Sequence, residues 1–135
     1  MAYKKILIVD DEEEVLKLLE KKLSAEEFYV IKAARGREAI QKAKVYLPDL
    51  ILMDIMLPDL DGSEAVKLIK KDLTIADIPI IFLSGIITKG EPNQKPTVTV
   101  AGFEYPAIGK PFEFRELLFE IRKVLSPGSF PPNLS

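Results

Sequence analysis

Three aspartates, a serine and a lysine stand where this chain can most readily build chemistry. Asp10 and Asp11 directly follow the apolar run Ile6-Leu7-Ile8-Val9, and Asp54 follows Leu50-Ile51-Leu52-Met53. Ser84 follows Ile78-Pro79-Ile80-Ile81-Phe82-Leu83, and Lys110 precedes Pro111 just beyond a fifth run within Tyr105 to Ile108. Carboxylates are hard oxygen ligands, and Mg²⁺ typically takes one or two of them together with phosphate oxygens and waters. A carboxylate can also act as a nucleophile, forming an acyl phosphate with no general base. For phosphoryl transfer the five residues divide the work. Asp11 and Asp54 ligate the cation directly, Asp10 reaches it through water, and Asp54 accepts the phosphoryl group. Lys110 and the cation offset charge on the phosphoryl oxygens, and Ser84 donates a hydrogen bond to one of them.

Each residue alone has a plainer explanation. Asp10-Asp11 ahead of a helix suits an N-terminal cap, Asp54 and Ser84-Gly85 suit turns, and a lysine before proline is commonly a solvated side chain. Their joint placement is what favours chemistry, because four separate strand ends carry the types that one reaction needs. The unbroken acidic run Asp10-Asp11-Glu12-Glu13-Glu14 is also self-repelling, a cost that a bound cation relieves.

The elements that must position these residues are legible as hydrophobic patterns. The runs ending before Asp10, Asp54 and Ser84 are continuously apolar, as strands covered on both faces are; Tyr29-Val30-Ile31-Lys32-Ala33 is a weaker strand. Between them lie helix-spaced stripes: Val15, Leu19 and Leu23 beside Leu16; Ala39, Ala43 and Leu47; Ala65, Ile69 and Leu73; and finally Leu117, Ile121 and Val124 or Leu125. Strand alternating with helix predicts an α/β open sheet with right-handed crossovers, whose ligands bind outside the carboxyl ends of the strands. Residues 88–100 break the rhythm: two prolines, a glycine and a β-branched alternation are poor helix material, so a loop with a short turn or an extended piece is expected. Residues 126–135 read as a Pro-rich tail or linker after a domain spanning 1–125.

Composition bounds the rest. The 135 residues suffice for one domain with its own core, at 47% hydrophobic and 30% charged. With no cysteine and no histidine, thiolate chemistry, disulfides, phosphohistidine carriage and the commonest general base are all excluded. The net charge of −2 gives no pull toward nucleic acid, so no direct nucleic-acid partner is expected. The apolar runs are too short for a membrane span or a secretory leader, which predicts a cytoplasmic location and no membrane contact.

With these residues in view, the chain resembles the receiver domains of two-component response regulators over residues 4–125. The matching segments are Ile6 to Glu12, then Asp54-Ile55-Met56-Leu57-Pro58-Asp59-Leu60-Asp61-Gly62, Ser84-Gly85 and Lys110-Pro111-Phe112; the second is the most specific. The resemblance implies a flavodoxin-like five-stranded parallel sheet in the order 2-1-3-4-5 with helices on both faces. It also implies Mg²⁺ as cofactor with the Met56 backbone carbonyl among its ligands, and a cis Lys110-Pro111 bond. The implied partners are a sensor histidine kinase or histidine phosphotransfer protein, and a downstream target or separate output domain. Such a domain is a signalling device with intrinsic aspartyl-phosphate hydrolysis rather than a turnover enzyme.

The departures concern output. Lys110 lies 26 positions after Ser84, a few more than the family's habit, and the fourth helix is expected to be shortened or replaced by a loop. The aromatic that the family places three residues before the lysine is here Ala107, with Tyr105 two residues further back on the same strand face. Homodimerisation is left open. Apolar Met56 and Ile86 cannot orient an attacking water, which suggests slow dephosphorylation. The alternative reading is a degenerate receiver serving as a constitutive interaction module. A haloacid-dehalogenase-type phosphatase fails because its second acid would be misplaced, and a flavodoxin-like carrier fails because the acidic run after strand one repels a flavin phosphate.

Overall fold

In a computed structural model, which describes residues 3–85 and 96–126, four helices flank one six-stranded sheet. The strands are β1 (Lys5–Val9), β2 (Tyr29–Ala33), β3 (Leu50–Asp54), β4 (Ile80–Ser84), β5 (Thr97–Val100) and β6 (Phe103–Gly109). The helices are α1 (Glu13–Ala25), α2 (Gly36–Tyr46), α3 (Gly62–Lys71) and α4 (Phe114–Leu125). Sheet order is β2-β1-β3-β4-β6-β5, parallel throughout except for the last pair. The expected order 2-1-3-4-5 holds with β6 as its fifth member, and β5 is an additional antiparallel edge strand. The five-strand count is therefore corrected to six.

The continuous apolar runs are buried as double coverage requires: every residue of β3 and β4 is buried. One face of the sheet packs Leu7, Ile51, Met53 and Phe82 against Ala39 and Ala43 of α2 and Ala65, Val66 and Ile69 of α3. The other packs Ile6, Ile8, Leu52 and Leu83 against Leu16, Leu19 and Leu23 of α1 and Leu117 and Ile121 of α4. Two stripe assignments do not survive. Leu47 lies one residue past α2 with φ of +47° and is exposed, because Pro48 cannot continue the helix. Leu73 lies beyond the end of α3 and is 92% exposed.

Within the stretch expected to be a loop with a short turn or an extended piece, residues 97–100 form β5, which turns back onto β6 through Ala101 and Gly102, both at positive φ (51° and 86°). Such a two-residue turn matches the twist of the flanking strands. Residues 88–95 of the expected loop, together with Ile86 and the tail from residue 127, lie outside the described residues. Among the described residues no helix is long and apolar enough to cross a membrane.

Candidate functional site

The sheet brings four strand ends to one edge. Parallel registers align Val9 with Met53 and Ser84 with Gly109, so Asp10, Asp54, Ser84 and Lys110 arrive at similar heights along their strands. Asp10 is fully buried; its Oδ1 accepts a hydrogen bond from the Glu12 amide at 2.9 Å, and its own amide donates to the Ala33 carbonyl. Asp11 is exposed. Asp54 is buried, and its Oδ1 accepts from the Met56 amide at 3.3 Å. Carboxylate oxygens of Asp10, Asp11 and Asp54 all lie within 4.8 Å of one another.

Lys110 reaches this cluster from just past the end of β6, and its bond to Pro111 is cis, as expected. Its Nζ lies 2.5 Å from Asp10 Oδ2, 3.3 Å from Asp54 Oδ2 and 3.6 Å from Glu12 Oε1. Its amide donates to the Ser84 carbonyl at 3.0 Å, which ties its backbone to β4. Burial raises the pKa of the Asp54 carboxyl; the Lys110 charge partly counters that and the Asp10 charge adds to it. For Lys110, burial opposes the charged form, but the hydrogen bond and charge of Asp10, with Asp54 behind it, hold the ammonium above the ordinary lysine range. Three carboxylates against one ammonium leave the cluster short of positive charge, and the donors are all oxygens. That is the ligand chemistry of a hard divalent cation.

A cavity of about 660 Å³ opens over the cluster, lined by Asp11, Asp54, Met56, Gly85 and Lys110 on its polar side and by α1 and Phe112 on the other. Ser84 is fully buried and does not line it; Gly85 does. Met56 sits at the rim, 61% exposed.

The loop after Asp54 is shaped by close approach. Gly62 donates its amide to the Ile55 carbonyl at 2.8 Å, and a Cβ there would stand 2.2 Å from the Asp54 carbonyl oxygen. Asp61 caps α3 by accepting from the Ser63 amide at 2.9 Å. Asp59 accepts from the amides of Gly36 and Arg37, at 2.9 and 3.2 Å. Spacing along the chain does not reveal that last contact, since 23 residues separate Asp59 from Gly36; the only local hint is that α2 begins without a capping side chain of its own.

Toward the sheet edge, Ala107 pairs with Phe82 and is buried. Tyr105 packs its ring edge-on against Phe82 at 5.9 Å between centroids, and the Lys70 ammonium lies 5.6 Å from its ring centre. Lys70 is in turn held by the carbonyls of Ala76 and Ile78. Tyr105 is thus clasped beside α3, one residue pair below Ala107, rather than directed at Ser84.

An open parallel sheet with an acidic cluster and a lysine at its carboxyl edge defines the class of flavodoxin-like signalling domains. The chain belongs to the response regulator receiver domain family, whose model matches residues 6–122. It is 39% identical over 90% of its length to the alkaline phosphatase synthesis transcriptional regulatory protein PhoP of Bacillus subtilis, and 38% identical over 90% to the probable transcriptional regulator ycf27 of Guillardia theta. It spans 48% and 45% of those two proteins, slightly under half of each. Among solved structures it resembles the chemotaxis protein CheY4 of Vibrio cholerae, with a TM-score of 0.77 at 28% identity, covering 92% of this chain and all of that one. The receiver domain of the sensor histidine kinase PA1611 from Pseudomonas aeruginosa matches with a TM-score of 0.79 at 27% identity, covering 93% of this chain and 99% of that one; that domain has a magnesium ion coordinated in its active-site cleft.

Proposed function

We propose that this domain accepts a phosphoryl group on Asp54 in a Mg²⁺-dependent reaction, from a phosphohistidine of a sensor kinase or phosphotransfer protein, and so switches a partner's interactions. The observation that carries it is the meeting of Asp10, Asp11 and Asp54 oxygens within 4.8 Å, with the Lys110 ammonium 3.3 Å from Asp54, beneath an open cavity. An Asp54 carboxylate oxygen forms the new P–O bond as the donor's P–N bond breaks and the imidazole leaves. In this reading Lys110, 3.3 Å from Asp54, offsets charge on the phosphoryl oxygens, and the hydrogen bond from Ser84 to one of them needs a shift of the strand end, since Ser84 is buried off the cavity lining. Asp11, Asp54 and the Met56 carbonyl would hold Mg²⁺ directly and Asp10 through water. Bound there, the ion supplies charge neutralisation of the phosphoryl oxygens.

Incubation with acetyl phosphate is expected to add one phosphoryl mass to the parent chain only when Mg²⁺ is present. The Asp54→Asn variant is expected to stay unmodified, and modification of that variant, or of the parent under chelation, would sink the reading.

The clasped Tyr105 and the antiparallel β5 favour a second reading in one respect: the output route is not the family's usual one. A constitutive interaction module would show no change in backbone amide signals on phosphorylation or on beryllofluoride addition. A cytoplasmic location fits a kinase as donor. The expectation of no nucleic-acid partner is not carried forward: PhoP and ycf27 are transcriptional regulators about twice this chain's length, and the charge of these 135 residues says nothing about a longer chain.

A further inference from the structure

The first turn of α2 is incomplete by itself. Helices begin with amide donors that have no partner within the helix. Here the residue before the first turn is Arg35, whose side chain makes no capping bond. Glu38 reaches back only as far as the Ala34 amide, at 2.8 Å. The amides of Gly36 and Arg37 are satisfied from elsewhere, by the two carboxylate oxygens of Asp59 in the loop that follows Asp54. Burial pushes the Asp59 carboxyl up, but the amides of Gly36 and Arg37, joined by those of Asp59 and Leu60, together hold it below the usual carboxylate range. Leu60 seals the joint. A Cβ on Gly36 would come within 2.9 Å of both the Leu60 Cβ and its carbonyl oxygen.

The remaining ties of this loop are local. Gly62 bonds back to Ile55, and Asp61 caps the helix that starts beside it. Among the described residues, the loop's hydrogen bonds to another element are those of Asp59, three positions from Met56. We propose that Asp59 is a positioning residue for the phosphoacceptor loop: by capping α2 from outside, it fixes the loop against that helix and so holds the Met56 carbonyl where a metal ligand is needed. This rests on the reading of Asp54 and Met56 given above. It further implies that α2 senses the occupied site, because any shift of the loop must break or carry the bonds to Gly36 and Arg37.

The test is a Mg²⁺ titration of the intact chain followed by backbone amide NMR, reading Met56, Gly36 and Arg37 together. In the parent all three are expected to move with one affinity. Asp59→Ala is expected to weaken Mg²⁺ binding roughly tenfold, at the low end for a residue supporting a metal ligand, while Asp59→Asn, which keeps an acceptor for Gly36 but sets an NH2 against the Arg37 amide, falls between Asp59→Ala and the parent. Glu38→Ala, which loosens the start of α2 but not the loop, should lower the melting temperature and leave Mg²⁺ affinity unchanged. Parent-like affinity in Asp59→Ala, or an equal loss in Glu38→Ala, reduces Asp59 to a structural cap and overturns the proposal. A parent that shows no Mg²⁺-dependent shift at all overturns the reading of the site itself.

Discussion

At the carboxyl ends of β1 and β3, Asp10 and Asp54 are buried and share one lysine; at the far edge of the same sheet, Thr97 and Thr99 of β5 are exposed and Phe103 is 67% exposed. The first region buries charges that need partners, so nearly every polar atom there has a defined acceptor or donor. The second buries mainly Val100, with Val98 half-buried beside it, and is otherwise held by strand pairing and one two-residue turn. Burying a charge costs several kcal/mol unless it is paired, which leaves the first region almost no freedom to vary. The second can exchange a helix for a strand without disturbing the first. That is how an intact acidic cluster and an altered edge coexist in one small sheet.

The sharpest way to break this contrast is Lys110→Ala. It leaves two buried carboxylates without their cation, and in chelator it should cost about 3 kcal/mol of unfolding free energy. A loss below about 1 kcal/mol in urea titrations would mean that the cluster is solvated like the edge and the contrast is false.

Asp54→Asn tests the same region in the opposite direction. The folded-state pKa of Asp54 lies above its unfolded value because of burial, with Asp10 adding to it and Lys110 only partly opposing. Between those values the native state keeps a proton that the unfolded chain has lost, so this group's contribution to stability is greatest in acid and falls as pH rises through the window. Metal-free Asp54→Asn should therefore exceed the parent by roughly 1 kcal/mol at neutral pH, and the gap should close as pH drops below the raised pKa. A gap that does not depend on pH would contradict this.

At the edge, effects should be small. Ala101 sits at φ +51°, where a side chain other than Asn, Asp or Gly is disfavoured. Ala101→Asn is expected to gain about 0.5 kcal/mol and to leave Mg²⁺ binding untouched. A change in Mg²⁺ affinity would show that the two regions are coupled after all.

Much of this was legible beforehand, and the limits have physical causes. Continuous apolar runs identify strands covered on both faces, and the residue after each run names the site, since strand polarity alone carries it to the sheet edge. Leu47 and Leu73 misled because helical spacing says nothing of where a helix stops. The alternation Thr97-Val98-Thr99-Val100 was visible, but its partner was not, because the turn joining it to β6 uses Ala-Gly in place of the Asn-Gly that announces such hairpins. Asp59 was hidden for a different reason: a cap supplied from another element leaves no local pattern.

The hairpin has one more consequence, which concerns the order of assembly. β5 and β6 meet across two residues, whereas each parallel pair of the sheet joins segments many residues apart. Hairpins close in microseconds, while distant pairings first have to overcome the entropy of loop closure. β6 is therefore expected to reach β4 with β5 already attached. Lys110, at the end of that unit, then meets Asp10 across a separation of 100 residues, so the charge pair that completes the site also joins the two ends of the domain.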